Sequence, residues 1–314
     1  MTPAEPNDKR LFTLLSFLFI SGLILLSVNP AILKGQMLNK NKAEAKPIEP
    51  ATPLIFNTRP EINAQAYIVK IIGINKPILS QREWKRLAPA SLTKILTAVL
   101  AKELLLPDDK IIFSKEAKQT EEKLSPLKIN EEVGRDNAIE LALVSSYNDA
   151  ALALAESIGK NRGGANFAER LIIFKTLANE KARLLGLKNS EFQNPIGLDE
   201  DNHYSTAEDL TQLAEYAWLR HSDLWIISRQ IETIIKTENG NTYKINNTND
   251  LLKEFPAILG SKTGFTERAK GALLFFYPLR PNKTVVVVIL GSEDRFGDGR
   301  KIINWLEENG IPNQ

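Results

Sequence analysis

Strand-forming runs stand at the two ends of the foldable part of this chain, and helical periodicity fills the interval between them. Tyr67 to Ile72 and Pro77 to Leu79 read as two short strands around the turn Gly73-Ile74-Asn75-Lys76. Far downstream, Leu259 to Phe265, Gly271 to Tyr277 and Thr284 to Leu290 read as three more, the last two joined by a turn over Pro278 to Lys283. Between them, Leu92, Ile95, Leu96, Val99 and Leu100 follow helical spacing. Further helices are predicted over Ala138 to Val144, Ala150 to Ile158 and Phe167 to Leu185. Ser205-Thr206-Ala207-Glu208 has the form of a capping box opening a helix to about Leu219, and a last helix is predicted from about Gly299 to Glu308. Strands so far apart can meet only across the whole domain. The expected class is therefore α+β, with an antiparallel sheet assembled from distant segments and flanked by helices.

The N-terminus is built differently. Leu11 to Val28 is apolar apart from Thr13, Ser16, Ser21, Gly22 and Ser27, and as a helix it would span roughly 27 Å, near the thickness of a hydrocarbon core. Lys9 and Arg10 precede it, and no small-residue cleavage site follows. The expectation is a cytoplasmic tail over 1–10, a transmembrane signal anchor over 11–28, a linker over 29–63 and one folded domain over 64–314. Prolines 47, 50, 53 and 60 in a stretch rich in Lys, Ala, Glu and Asn support the linker. Lys34, Lys40 and Lys42 offset Lys9 and Arg10, so charge does not set the orientation.

Composition removes several chemistries. Forty basic against 38 acidic residues leave a net charge of +2, which gives no basis for nucleic-acid binding. There are no cysteines, hence no disulfide, thiol nucleophile or thiolate metal site. His203 and His221 are the two histidines, too few for a histidine-rich metal site. No metal and no organic cofactor is expected. His203, just before the capping box, reads as structural, and His221 as a residue favoured at a helix end.

Three short motifs carry chemistry. In Ser91-Leu92-Thr93-Lys94 the serine and lysine share one face of the predicted helix. A serine hydroxyl attacks only when a base takes its proton, and lysine is such a base only when burial or a second cation keeps it neutral. Ser146-Tyr147-Asn148 lies between two helical runs, where the serine could relay a proton and the amide could hold a substrate carbonyl. Lys262-Thr263-Gly264 lies on a predicted strand, offering a cation toward a carboxylate and a glycine that permits close approach of a ligand backbone. Singly, each has an ordinary alternative: a helix cap with a solvated lysine, a polar helix connection, an edge-strand turn. Ser125-Pro126-Leu127-Lys128 repeats the first pattern in a polar stretch and is assigned no role. Gly260-Ser261-Lys262-Thr263 lacks the glycine that a P-loop places before its lysine.

Taken together and in this order, the motifs match the signature of penicillin-recognising serine enzymes. The chain resembles the low-molecular-mass penicillin-binding proteins of the D-alanyl-D-alanine carboxypeptidase family. The resemblance runs through Ala88-Pro89-Ala90-Ser91, Ser145-Ser146-Tyr147-Asn148-Asp149, Leu185-Gly186-Leu187, Phe192-Gln193-Asn194-Pro195-Ile196-Gly197-Leu198, His203-Tyr204-Ser205-Thr206 and Lys262-Thr263-Gly264-Phe265-Thr266. It covers roughly Ala64 to Leu306.

The resemblance implies a β-lactamase/transpeptidase-like fold, an antiparallel sheet flanked by helices plus an all-helical subdomain. It implies Ser91 as nucleophile, Lys94 as its base and Ser146 as proton relay. Asn148 would bind the peptide side of the substrate, and Lys262 and Thr263 would face its terminal carboxylate. Gly264 belongs to the same strand motif, the backbone N–H groups of Ser91 and Phe265 would form an oxyanion hole, and Arg295 would help anchor the carboxylate. The implied reaction is D-Ala-D-Ala carboxypeptidase chemistry on peptidoglycan stem peptides, with β-lactams as covalent inhibitors, outside the cytoplasmic membrane. A DD-endopeptidase or transpeptidase shares these residues and stands as the alternative. A β-lactamase is disfavoured because Tyr147 replaces the aspartate of that class and Glu191 is unsuitably spaced before Asn194; an inactive wall-binding protein is disfavoured because every chemical residue of the three motifs is present.

Overall fold

The run Val285-Val286-Val287-Val288-Ile289-Leu290 has no polar residue to turn toward water, so a strand made from it must be covered on both faces. The computed structural model, which describes residues 59–120, 122–280 and 283–310, provides that cover. The elements are β1 (Ala66–Ile71), β2 (Leu79–Gln81), a 3₁₀ turn (Ala90–Leu92), α1 (Thr93–Leu104), β3 (Lys110–Ile112), α2 (Lys115–Lys118), β4 (Glu132–Gly134), α3 (Arg135–Leu143), α4 (Asn148–Asn161), α5 (Phe167–Leu184), α6 (Ala207–Arg220), α7 (Asp223–Ser228), β5 (Glu232–Lys236), β6 (Thr242–Asn246), α8 (Leu251–Glu254), β7 (Gly260–Thr266), β8 (Lys270–Arg280), β9 (Lys283–Ser292) and α9 (Arg295–Gly310). The expected tail, anchor and nearly all of the linker lie outside the described residues. Among the described residues no helix is long and apolar enough to cross a membrane.

Five strands form one sheet in the order β2-β1-β9-β8-β7, antiparallel at every pairing. Alternate residues of β9 serve different cores. Val286, Val288 and Leu290 join Ile68, Leu274 and Phe276 beneath α1, α4 and α6, whereas Val285, Val287 and Ile289 join Val69, Phe275 and the α9 residues Ile302 and Ile303. On the first face Trp218 stacks on Phe276 at 4.5 Å and Trp225 meets its edge at 4.6 Å. Helix α1 is buried from Thr93 to Ala101, its apolar residues carrying the polar Thr93, Lys94 and Thr97 inside with them. The helical layer also carries the short ribbon β3–β4, through buried Ile111 and Val133, and a second ribbon, β5–β6, stands near α3.

Several boundaries differ from the sequence expectation for local reasons. The second strand begins at Leu79, since Pro77 has no N–H to give and the Ile78 N–H donates to the Val69 carbonyl as pairing starts. Helix α6 is capped by Thr206, which accepts from the Asp209 N–H at 3.0 Å. Ser205 is unavailable as a cap because its backbone is bridged to Leu87 in both directions at 2.9 Å. Strand β8 continues through Pro278, which is accommodated at a register shift between Pro278 and Arg280. Helix α9 starts at Arg295, four positions early, where Asp294 Oδ1 accepts from the Gly297 N–H at 2.8 Å.

The segment between α5 and α6 is fastened to the base of α1 by His203, which is buried. Its Nδ1 accepts from the Gln193 N–H at 3.3 Å, which leaves the proton on Nε2 to be donated to Thr93 Oγ1 at 3.0 Å. Burial lowers the imidazole pKa from 6.5 to about 4, opposed by Asp199. Above pH 6.5 the ring is neutral folded or unfolded; below it the unfolded chain binds a proton that the folded one refuses until about pH 4. Stability should therefore fall by up to about 3 kcal/mol from this side chain as pH drops through that window. Urea titrations at a series of pH values test this: the difference between wild type and His203→Asn should shrink across the window, and a constant difference would contradict it.

Candidate active site

The turn before α1 brings the first motif together. Ala90, at φ +48°, precedes Ser91 in the 3₁₀ turn, so Ser91 lies just ahead of α1 and Lys94 at its second residue. Lys94 is fully buried, and its Nζ lies 2.8 Å from Ser91 Oγ, 2.8 Å from Asn148 Oδ1 and 2.9 Å from the Ile196 carbonyl. Burial holds this amine well below the ordinary lysine value, the charge of Lys123 pushes the same way, and Asp149 opposes. A neutral amine has two N–H groups and one lone pair. Asn148 Oδ1 and the Ile196 carbonyl are obligate acceptors and take the two N–H groups. The remaining contact must then be the Ser91 O–H donating to the Lys94 lone pair, which is the geometry of a base poised on a nucleophile.

A second pair stands beside the first. Ser146 is fully buried at φ +60°, a left-handed conformation that a serine adopts only when its surroundings impose it. Lys262 Nζ donates to Ser146 Oγ at 2.8 Å and to the Thr263 carbonyl at 2.8 Å. Burial, then the charges of Lys94, Lys123 and Arg295, lower the Lys262 pKa well below its ordinary range. The repulsion between Lys94 and Lys262 is mutual, so protonating one disfavours protonating the other.

The remaining predicted residues fall around these pairs. Gly264 on β7 lies against the nucleophile turn: an added Cβ would sit 2.9 Å from the Ser91 nitrogen and 2.9 Å from Ala90 Cβ. What the missing side chain makes room for is thus the Ser91 turn itself, in addition to the ligand approach read from sequence. Phe265, the next residue, lines a small cleft with Ser91, Asn148, Gly197 and Leu198. The Thr263 hydroxyl shares a hydrogen bond with Thr248. Arg295 is half-buried with its guanidinium 4.6 Å above the Phe296 ring, and its charge is felt at both Lys262 and Lys123. Tyr147 is the N-cap residue of α4 and packs against the main core. Ser125 serves as scaffold: its N–H and hydroxyl both bond the buried Asp149 carboxylate, which Lys118 neutralises at 2.6 Å, while Lys128 is exposed.

Some contributors were given no role by the sequence. The Glu122 and Lys123 carbonyls accept from Asn148 Nδ2 and N–H at 3.3 and 2.9 Å, both residues with positive φ (+61° and +44°). Gly197, at φ +86°, is packed so closely on the Ala90 carbonyl that no side chain fits. Asn194 Oδ1 gathers the N–H groups of Ile196, Gly197 and Leu198 at 3.2, 2.7 and 3.2 Å, fixing the carbonyl that holds Lys94. Glu122 and Lys123 carried no sequence signal, and the stretch Phe192 to Leu198, which carries part of the family resemblance, does not disclose that its backbone holds Lys94. Among the described residues no group of His, Cys, Asp and Glu side chains is arranged to hold a metal ion.

Known proteins resemble this chain in sequence and fold. A family model described as Peptidase S11, D-alanyl-D-alanine carboxypeptidase, matches residues 55–294. The chain is 31% identical over 223 residues to the D-alanyl-D-alanine carboxypeptidase DacF of Bacillus subtilis, covering 69% of this chain and 54% of that protein, so it spans about half of DacF. It is also 31% identical over 265 residues to the D-alanyl-D-alanine endopeptidase of Escherichia coli, covering 81% and 80% of the two chains. The crystal structure of the Streptomyces K15 DD-transpeptidase has the same fold, with a TM-score of 0.73 and 29% identity over 80% of this chain and 99% of that one. With a family match across most of its described residues and a transpeptidase fold, this chain belongs to the D-alanyl-D-alanine carboxypeptidase family of serine peptidases.

Proposed function

We propose that this protein is a penicillin-sensitive serine carboxypeptidase that removes the terminal D-alanine from peptidoglycan stem peptides. The observation that carries the reading is the fully buried Lys94 amine held 2.8 Å from the Ser91 hydroxyl. Lys94 takes the Ser91 proton as Oγ attacks the carbonyl between the two D-alanines, and the N–H groups of Ser91 and Phe265 receive the developing oxyanion. The C–N bond then breaks as Ser146, held by Lys262, relays the proton taken by Lys94 to the departing D-alanine amine, which returns Lys94 to its neutral form. Water hydrolyses the ester on Ser91, with Lys94 again accepting a proton. Lys262, Thr263 and Arg295 supply the positive and polar end of the cleft for the substrate carboxylate, and Asn148 holds the acyl side. An endopeptidase differs only in the amine that leaves, and the match over 80% of an endopeptidase's length is the observation in its favour.

We further propose that residues 11–28 anchor the chain, with the catalytic domain outside the cytoplasmic membrane where peptidoglycan lies. The full-length protein should remain in the membrane fraction through an alkaline wash; release into the supernatant would contradict this.

Incubation with purified pentapeptide should liberate D-alanine, and fluorescent penicillin should label the protein. In Ser91→Ala the peptidase rate should fall by about 10⁴-fold or more and labelling should vanish. Labelling that persists in Ser91→Ala would remove Ser91 from its role. The Lys123 charge helps keep Lys94 neutral. In Lys123→Met the acid limb of penicillin acylation should therefore move to higher pH, while Lys123→Arg leaves it in place; an unmoved limb in Lys123→Met contradicts the link.

A further inference from the structure

Of the four tryptophans, Trp84 is the exposed one, at 56%, whereas Trp225 and Trp305 are buried and Trp218 stacks on Phe276. It occupies the third position of the tight turn Arg82-Glu83-Trp84-Lys85, closed by the Lys85 N–H donating to the Arg82 carbonyl at 2.8 Å. Arg82 enters the turn with left-handed backbone, φ +49°. Both ends are fastened: Gln81 pairs with Tyr67 in the sheet, and Leu87 is bridged to Ser205. A fixed backbone therefore leaves a large apolar ring in water.

The chain enters the domain at the same place. Lys85 Nζ donates to Gln65 Oε1 at 2.9 Å. The Tyr67 hydroxyl, whose pKa burial raises, feels the charge of Arg59 in the opposite direction. Glu61 and Asn63 are tied to α9 through Lys301 and Asp298. Residues 59–65 and 81–86 thus meet at the β2 edge of the sheet, carrying Arg59, Arg82, Lys85 and Arg86 against Glu61 and Glu83. All four cations are exposed, and Glu83 is half-buried. A rigid exposed indole among guanidinium and ammonium groups suits the boundary of water and lipid, where the ring sits at headgroup level and the cations meet lipid phosphates. A neutral glycan strand could use the indole but not the cations.

We propose that the Arg82–Arg86 turn, together with Arg59, docks this domain on an anionic lipid bilayer, with Trp84 inserted at headgroup level. The inference is independent of the peptidase reading. From the proposed anchor over 11–28 it takes only the side from which the membrane approaches, since the linker over 29–63 ends beside this turn. Ser91 follows Trp84 by seven residues, so docking holds the nucleophile within about 25 Å of the bilayer surface.

The test places the full-length protein in vesicles of phosphatidylglycerol and phosphatidylcholine, with and without bromine on the acyl chains. Emission of Trp84 is read as the difference between wild type and Trp84→Phe. Brominated lipid should remove about half of that emission or more in the anionic vesicles. The quenching should vanish in phosphatidylcholine alone, and at about 0.5 M salt, where surface charge is screened. It should also vanish in Arg82→Gln/Lys85→Gln, since two lost charges shift the docked-to-free ratio about 30-fold. Fluorescent penicillin labelling reports that each variant is folded, and the wild-type contrast between vesicle types stands without any variant. Equal Trp84 emission with brominated and unbrominated anionic vesicles overturns the docking surface, even where the protein withstands the alkaline wash and the anchor reading holds. Equal quenching in neutral vesicles overturns it too, because the cations then play no part. A Trp84 emission shift with isolated glycan strands and none with anionic vesicles replaces it with sugar stacking. Charge-dependent quenching in a protein that the alkaline wash releases supports the docking surface and removes the anchor reading.

Discussion

A lysine amine with no access to water, surrounded by a hydroxyl, an amide oxygen and a backbone carbonyl, governs how this domain is put together. Charged, the Lys94 nitrogen would suffer the full penalty of burial beside other cations; neutral, it has two protons to give and one lone pair to offer. The groups around it match the neutral form, with two obligate acceptors and one hydroxyl that can donate. Each comes from a different segment: Ser91 from the turn before α1, Asn148 from the start of α4, Ile196 from the loop between α5 and α6. No single segment forms the site, so it exists only when both layers are assembled.

The fold can be understood as the means of holding those segments still. The two-faced sheet lets β7 run beside the nucleophile turn while β8 and β9 are sealed by helices on both sides. Gly264 and Gly197 press on the same turn from opposite neighbours, one through a strand and one through a loop, and either would be blocked by a methyl group. Left-handed backbone at Ala90, Ser146, Glu122 and Lys123 clusters around the nucleophile, the pattern expected where surrounding packing imposes geometry on a site. Lys262 donates to Ser146 Oγ, and Arg295 adds its charge from the first turn of α9.

Much of this was legible in the sequence, and the reason is chemical. Ser91, Lys94, Ser146, Asn148 and Lys262 act through side chains whose types and spacing leave a pattern, and Val285 to Leu290 announces a doubly covered strand because nothing in it can face water. What stayed hidden acts through backbone or context. The carbonyls of Ile196, Glu122 and Lys123 leave no trace in residue type. Thr206 displaced Ser205 as the cap of α6 because of a bridge to Leu87 more than a hundred residues upstream, which local propensity cannot register. The ribbon β5–β6 buries only Ile235 and Ile245 among otherwise exposed or half-buried positions, too weak an alternation to declare itself.

The protonation of Lys94 is the point on which the chemistry turns. With ¹⁵N-labelled lysine, the side-chain resonance of Lys94, identified by its loss in Lys94→Arg, reports amine or ammonium directly. The account predicts a neutral amine at about pH 7, far from the ordinary lysine range near pH 10.4. An ammonium signal that persists until the pH approaches that ordinary range would contradict it.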